Sequence, residues 1–213
     1  FNKKQIMKKL LLLLSITLLT LSCSTDETQV EKPNILIIGN SIVLHPPNES
    51  IGWNHNHGMA ATSSDKDFCS IVAKNIPHNN MERFNMWAWE YRWDYQVIEK
   101  KTNPCDILIV KVGENVVDRQ NFKEHLNNLV NLYRDSNTKV YIVSTALGYM
   151  VTDLDNNMEE FCQEKGYIFV DLRSMQDDQT NFAWGEWEEN GGIGCHPSDK
   201  GMQFIADKIL EKI

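Results

Sequence analysis

Three residues of this chain, Ser41, Asn115 and His196, have side chains suited to acyl chemistry. Ser41 ends the apolar run Ile35–Ser41, and Asn115 closely follows a second apolar run, Cys105–Val112. His196 stands just before the last apolar stripe of the chain. A serine nucleophile needs a base within hydrogen-bond reach and N–H donors aimed at the oxygen that gains charge. A hydroxyl, an imidazole and an amide meet these requirements, so the residue types indicate attack by a serine on a carbonyl carbon.

The segment Gly39-Asn40-Ser41 also has a purely structural interpretation. Asn and Ser are preferred in turns and at helix N-termini, where their side chains accept backbone hydrogen bonds. For this segment alone, a turn and helix cap is the simpler interpretation. The chemical interpretation therefore depends on residues further along the chain.

Short apolar runs and apolar stripes at helical spacing predict the elements that position these residues. The predicted strands are Ile35–Ser41, Phe84–Trp89, Cys105–Val112, Val140–Val143 and Tyr167–Val170. The predicted helices are Asp67–Ile76, Asn121–Arg134, Asn156–Lys165 and Met202–Ile213. This alternation predicts an α/β fold, a flavodoxin-like three-layer α/β/α sandwich with a parallel five-stranded sheet and right-handed crossovers. Ligands of such sheets bind outside the carboxyl ends of the strands.

Four short blocks in the chain resemble those of the SGNH (GDSL-type) hydrolases. The blocks are Gly39-Asn40-Ser41, Asn56-His57-Gly58, Gly113-Glu114-Asn115 and His196-Pro197. Each block is weak alone, but the four occur in order, and the resemblance extends over Pro33–Ile213. It implies an esterase in which Ser41 is the nucleophile and His196 is the general base. It further implies an oxyanion hole made by the N–H of Ser41, the N–H of Gly58 and the side chain of Asn115.

The chain departs from the family pattern at two positions. Asn40 stands where the family usually has Asp, which keeps the hydrogen-bonding shape and loses a charge. Ile193 stands where the third catalytic residue, an Asp, is expected. An imidazole base still needs a partner at its second nitrogen. That partner is predicted to be a backbone carbonyl near Ile193 or a carboxylate, for which the sequence offers Glu188, Glu189 and Asp199.

The ordinary α/β-hydrolase pattern does not fit the chain. Val43 stands where the second glycine of a GxSxG nucleophile elbow would be. The sequence therefore favours the SGNH interpretation over that one.

The front of the chain predicts export. Lysines precede a mainly apolar run over residues 10–21, which is too short to span a bilayer comfortably. Leu21-Ser22-Cys23 resembles the lipobox of bacterial lipoproteins, and the acidic stretch after it resembles the tether of Bacteroidetes lipoproteins. The predicted organisation is a lipoprotein signal peptide over 1–22, lipidation at Cys23, a tether over 23–32 and a single hydrolase domain over 33–213. The alternative is an ordinary signal peptide with Cys23 unmodified.

This organisation predicts a location and a mode of membrane attachment. The protein is expected at the outer membrane or cell surface, or alternatively in the periplasm, and attached to membrane only through Cys23. The formal net charge of −8 disfavours nucleic acid and a polybasic membrane surface as partners.

Cofactors and metals are not expected. The histidines His45, His55 and His57 fit a polar loop better than a metal site, because no cysteine or carboxylate accompanies them at ligand spacing. The cysteines after Cys23 show no CxxC spacing and are predicted to be mainly small buried residues, namely Cys69, Cys105, Cys162 and Cys195.

Aromatic residues suggest carbohydrate as the alcohol part of the substrate. The run Phe84–Tyr95 is rich in aromatic rings, and Trp184 and Trp187 lie in the loop before His196. Aromatic faces pack against the apolar faces of sugar rings, although half of these rings are expected in the core. The leading hypothesis is an esterase that removes acyl groups, most plausibly O-acetyl, from carbohydrate. A glycan-binding lipoprotein with lapsed catalysis and an acyltransferase are the alternatives.

Overall fold

Five parallel strands form the central sheet of the protein. The structure is a computed structural model that describes residues 31–146, 148–187 and 191–213. In chain order the strands are β1 (Asn34–Gly39), β2 (Asn80–Asn85), β3 (Ile107–Lys111), β4 (Lys139–Val143) and β5 (Ile168–Val170). They lie in the order β2-β1-β3-β4-β5, and every neighbouring pair is parallel. The predicted flavodoxin-like sheet is thereby confirmed.

Helices cover both faces of this sheet. They are α1 (Phe68–Asn75), α2 (Trp87–Arg92), α3 (Phe122–Tyr133), α4 (Gly148–Lys165), α5 (Gly191–Gly194) and α6 (Asp199–Leu210). Short 3₁₀ helices occupy Glu49–Ile51, Ser64–Lys66, Arg173–Asp177 and Gln179–Asn181.

The strands alternate their side chains between two apolar clusters, one on each face. In β1, Leu36 and Ile38 join the cluster that contains residues of α2, α3 and α4. Ile35 and Ile37 join the opposite cluster, which contains residues of α1 and α6. Because successive side chains of a strand point to opposite faces, this division confirms the predicted three-layer sandwich.

The second strand was predicted in the wrong place. Phe84–Trp89 was expected to be extended, but β2 ends at Asn85 and Trp87–Arg92 is helical. The Asn85 side chain accepts a hydrogen bond from the N–H of Trp87 at 2.7 Å and so stabilises the start of the helix. Aromatic residues favour strands in general, but tertiary packing overrides that preference here. Helical spacing instead stacks Trp87 on Tyr91, with ring centroids 5.5 Å apart.

The strand register brings the functional loops to one edge of the sheet. Gly39 at the end of β1 pairs with Asn85 on one side and Lys111 on the other. A Cβ atom at Gly39 would lie 2.1 Å from the carbonyl oxygen of Lys111, so only glycine fits there. The loops that follow β1, β2 and β3 therefore begin side by side.

The structure also tests the predicted helix bounds and the predicted burial of the cysteines. α4 begins at Gly148, well before the predicted Asn156, and α6 spans Asp199–Leu210. Cys69, Cys105 and Cys162 are free and buried, as predicted, while Cys195 is free and half-buried. Among the described residues no helix has the length and apolar character needed to cross a membrane.

Candidate active site

The nucleophile and base proposed from the sequence meet at the carboxyl edge of the sheet. Ser41 follows β1, and its Oγ lies 2.7 Å from Nε2 of His196. The His196 backbone carbonyl accepts a bond from the Ala183 N–H at 3.0 Å. Two residues further on, the Ser198 side chain caps α6 by accepting from the N–H of Gly201. The base is thus held by the start of a helix and by the preceding loop.

The second ring nitrogen of His196 faces a backbone carbonyl. Nδ1 lies 3.2 Å from the carbonyl oxygen of Ile193. A carbonyl can only accept, so Nδ1 bears the hydrogen and Nε2 presents its lone pair to the Ser41 hydroxyl. The sequence left two kinds of partner open for the second nitrogen of His196, a backbone carbonyl and a carboxylate. This contact matches the backbone carbonyl. Asp199 instead bonds Thr62 and Lys66, and Glu188 and Glu189 lie outside the described residues.

Burial keeps the His196 imidazole neutral. Loss of solvent lowers the pKa of His196 from its usual value to about 4, and the carbonyls of Gly192 and Ile193 oppose that shift only in part. A neutral imidazole at pH 7 has a free lone pair on Nε2. It is therefore ready to accept the proton of Ser41.

Asn115 is placed to donate into the same cavity as Ser41 and His196. It lines that cavity with them and is half-buried. Its Nδ2 donates one hydrogen to Glu90 at 2.6 Å, which leaves the second hydrogen of the amide for another acceptor. The N–H of Ser41 has no acceptor within the part of the chain that the structure describes. Both donors fit the predicted oxyanion hole.

Gly58 has a different role from the one that the family resemblance implies. Its N–H donates to Oδ2 of Asp67 at 3.2 Å, so it is already engaged away from the cavity. A Cβ atom at this position would lie 2.5 Å from the carbonyl oxygen of Ile42. Gly58 is therefore a packing glycine in this structure, and its predicted place in the oxyanion hole is not supported.

A cavity of about 690 Å³ opens around the Ser41 hydroxyl. Among its lining residues are His45, Asn85, Trp87 and Ile193. The Trp87 ring is 48% exposed and lies nearly parallel to the Tyr91 ring, at an interplanar angle of 6°. The cavity therefore has an aromatic plane at its edge.

The two tryptophans proposed for substrate binding do not line this cavity. Trp184 is 47% exposed, and its ring lies 6.4 Å from that of Phe182. Trp187 packs on the buried Trp53, with ring centroids 5.6 Å apart. Trp87 was missed as a site residue because its segment was predicted as a strand. Its i, i+4 spacing to Tyr91 could have revealed the stacked pair.

The structure gives no support for a metal centre. Within the described ranges, no group of three or more His, Cys, Asp and Glu side chains is placed to hold a metal ion. His55 and His57 stack on each other at 5.1 Å, and both lie edge-on to the Trp53 ring. These histidines form an aromatic cluster in the loop.

The fold has solved counterparts among carbohydrate esterases. A family two carbohydrate esterase from Clostridium thermocellum, in complex with cellohexaose, has a TM-score of 0.56 at 16% identity, over 85% of this chain and 63% of that chain. A two-domain esterase active on acetylated mannans, co-crystallised with mannopentaose, has a TM-score of 0.53 at 15% identity, over 85% and 49%. An acetyl xylan esterase has a TM-score of 0.53 at 13% identity, over 84% and 99%.

These likenesses show a fold shared with carbohydrate esterases. The chain spans about half the length of the mannan esterase and under two thirds of the Clostridium enzyme. No protein-family model matches the sequence, and no curated protein does. At this level of identity the reaction has to be argued from the site itself.

Proposed function

We propose that the protein is a serine esterase that hydrolyses acyl esters. The observation that supports this most directly is the 2.7 Å contact between Ser41 Oγ and His196 Nε2 inside an open cavity. Ser41 attacks the ester carbonyl while His196 accepts its proton. His196 then returns the proton to the leaving alkoxide, and a water molecule releases the acyl group from Ser41.

In this mechanism the oxyanion is stabilised by the side chain of Asn115 and the N–H of Ser41. Both are donors at the ends of neighbouring strands, so they are fixed before the charge develops. The carbonyl of Ile193 replaces the usual carboxylate and sets the tautomer of His196. It supplies no negative charge to the imidazolium, which forms transiently, so the site is a Ser–His dyad with a backbone orienting group.

We further propose that the alcohol part of the substrate is an acylated carbohydrate and that the acyl group is acetyl. The stacked Trp87 and Tyr91 rings at the cavity edge support a sugar-binding face, because flat aromatic surfaces pack against the apolar faces of sugar rings. The similar structures include esterases solved with mannopentaose and with cellohexaose.

The cellular setting proposed from the sequence is a lipid-anchored lipoprotein. Residues 1–22 would be the signal peptide, Cys23 the lipidated residue and 23–32 the tether, with the protein exported to the outer membrane or cell surface. Radiolabelled palmitate incorporation in cells, compared between the natural chain and Cys23→Ala, tests this. Equal labelling of both would refute lipidation at Cys23.

The esterase is tested by p-nitrophenyl acetate turnover. Residues 24–213 are compared with Ser41→Ala, His196→Ala and the control Ser174→Ala, whose serine is exposed and far along the chain. Turnover is expected in the unchanged protein and the control, with a fall of about 10³-fold or more in the two site variants. Equal background in all four would refute hydrolysis of small esters.

A catalytically lapsed glycan-binding protein is the second candidate, favoured by Ile193 standing where the family has its third catalytic Asp. A fluorophosphonate separates the two candidates, because it forms a covalent bond only with an activated serine. Labelling that is lost in Ser41→Ala supports the esterase. Tight glycan binding without labelling supports the binding protein.

A further inference from the structure

A buried group of charged side chains lies directly beneath the proposed site. Glu90, on α2, is 1% exposed, and Lys111, at the end of β3, is fully buried. Glu114 lies beside them and forms an ion pair with Lys111. Burial of charge is costly unless every charge is paired or hydrogen-bonded. The hydrogen bonds of these charged side chains should therefore indicate their structural role.

The Glu90 carboxylate connects the loops that follow two neighbouring strands. It accepts from the N–H of Gly113 at 2.5 Å and from Nδ2 of Asn115 at 2.6 Å, both in the loop after β3. It also accepts from Nδ2 of Asn40 at 3.2 Å, in the loop after β1. Asn40 immediately precedes Ser41. One carboxylate thus contacts the proposed oxyanion donor and the turn that presents the nucleophile.

Asn40 is itself held between two carboxylates. Its Nδ2 donates to Glu114 at 2.6 Å as well as to Glu90, and its Oδ1 accepts from the N–H of Ile42 at 3.0 Å. An Asp at this position would have no hydrogen to donate and would bring a third carboxylate against one lysine. The family usually has Asp at this position. The two neighbouring carboxylates, Glu90 and Glu114, explain why this chain has Asn40 there instead.

We propose that Glu90 is a positioning residue that fixes the Asn115 amide and the Asn40–Ser41 turn relative to each other, with Asn40 as the matching donor. The part of this inference that concerns catalysis rests on the proposed esterase function. Because oxyanion donors act on charge that develops during the reaction, loss of their alignment should lower kcat more than it changes KM.

The charges around Glu90 agree with this role. Burial raises the pKa of Glu90, and the neighbouring Glu114 raises it further. Burial opposes ionisation of Glu114, but Lys111, the N–H of Ala146 and the side chain of Asn40 together outweigh it and lower the pKa of Glu114. Asp155 interacts electrostatically with Lys111 and Glu114 and accepts two bonds from Thr145. Three N–H donors point at Glu90, so replacement by an amide, which is itself a donor, must break at least one bond.

The test is Glu90→Gln in the full chain, with Glu82→Gln as its control. Glu82 also accepts several bonds, from Asn80, Thr102 and Asn103, but it lies in β2 away from the cavity. For p-nitrophenyl acetate we expect kcat to fall by roughly tenfold to a hundredfold in Glu90→Gln with KM nearly unchanged. Glu82→Gln should keep the kcat of the unchanged protein.

Nuclear magnetic resonance makes the test independent of activity. In ¹⁵N-labelled protein the Gly113 backbone amide and the Asn115 side-chain amide should shift strongly in Glu90→Gln and remain in place in Glu82→Gln. Unchanged resonances and unchanged kcat would overturn the inference. If the unchanged protein shows no Ser41-dependent turnover, the proposed function fails, and the resonances still decide whether Glu90 holds these groups.

A pair of variants that moves one negative charge from position 114 to position 40 tests the proposed role of Asn40. Recovery of activity in the double variant also distinguishes loss of function from a failure to fold. Asn40→Asp should lose most activity and stability. Adding Glu114→Gln should restore a substantial part of both, because the new amide can donate to Asp at position 40 while its oxygen still faces Lys111 and the N–H of Ala146. A double variant no better than Asn40→Asp would show that the carboxylates do not select an asparagine at this position.

Discussion

The two halves of the proposed site are built differently. On the nucleophile side, Ser41 and Asn115 follow central strands, and Glu90 and Glu114 bind their loops through buried and part-buried hydrogen bonds. On the base side, His196 lies between two helices, and its Nδ1 faces the Ile193 carbonyl at 3.2 Å and the Cys195 thiol at 3.8 Å. Among the described residues, the buried charge lies beneath the proposed oxyanion donors, and no carboxylate bonds the proposed base.

This difference suggests which half requires the more exact alignment. A base needs its tautomer fixed and its ring kept in reach, and one carbonyl together with packing can do both. Oxyanion donors must be aimed at a position that carries charge only in the transition state. If the comparison is correct, changes on the nucleophile side should affect kcat, and changes on the base side should appear mainly in the pH dependence.

The largest effect among the following tests is expected at Asn115. In Asn115→Ala the kcat for p-nitrophenyl acetate should fall by about 10²- to 10³-fold, since one oxyanion donor is lost. Steady-state kinetics with Asn128→Ala, an exposed asparagine of α3, is the control. A fall of less than about threefold would remove Asn115 from the oxyanion hole and leave the nucleophile side without its main donor.

A smaller effect, confined to carbohydrate substrates, is expected at Trp87. Trp87→Ala should raise KM for acetylated oligosaccharides by roughly fivefold, because a stacking contact worth about 1 kcal/mol is lost. Turnover of p-nitrophenyl acetate should hardly change. Trp184→Ala, which is equally exposed and lies outside the cavity, is the matched control. If Trp184→Ala raised KM and Trp87→Ala did not, the sugar would lie on the other side of the site.

The pH dependence examines the base side. Burial lowers the pKa of His196 to about 4 but raises that of Glu90 to about 7, so the base side is examined in Glu90→Gln, where kcat/KM should stay level from neutral pH downwards and fall only as pH approaches 4. The unfolded chain binds this proton near pH 6.5, so the contribution of His196 to stability is complete above that pH and declines between 6.5 and 4. An acidic limb of kcat/KM near pH 6.5 would indicate a carboxylate partner for His196.

The smallest effect on activity is expected at Asp67, a buried carboxylate outside the site. It pairs with Arg83 at 2.6 Å and accepts from the N–H groups of Gly58 and Ser70. Asp67→Asn should lower the free energy of unfolding by about 3 kcal/mol, since it leaves a partly buried cation unpaired.

Denaturant unfolding and kcat of the folded protein, measured together, check this prediction. Asp178→Asn breaks an exposed pair with Lys200 and should lower the free energy of unfolding much less than Asp67→Asn does. A fall in kcat at Asp67 comparable to that at Glu90 would show that any buried carboxylate affects the site. The special role proposed for the nucleophile side of the site would then be refuted.

The sequence alone predicted the parallel sheet apart from the placement of its second strand, most of the helices, and the two residues proposed to react. Strands such as Ile35–Ser41 and helices such as Asn121–Arg134 could be predicted because their periodicity is local and strong. Ser41 and His196 could be proposed because their types stand at the ends of elements, in blocks resembling a known family. The contact between Ser41 and His196 follows from a parallel sheet that gathers strand ends at one edge.

The tertiary structure decided what surrounds these two residues. Every residue has a carbonyl, so nothing in the sequence marks that of Ile193 as the partner of His196. Glu90 directly follows the segment Phe84–Trp89, where aromatic residues suggested a strand, and only packing placed it on a helix beside Asn115. The N–H of Gly58 is committed to Asp67, and Trp87 lines the cavity in place of Trp184 and Trp187. These are contacts between distant parts of the chain, and local patterns do not encode which of several suitable partners packing will bring together.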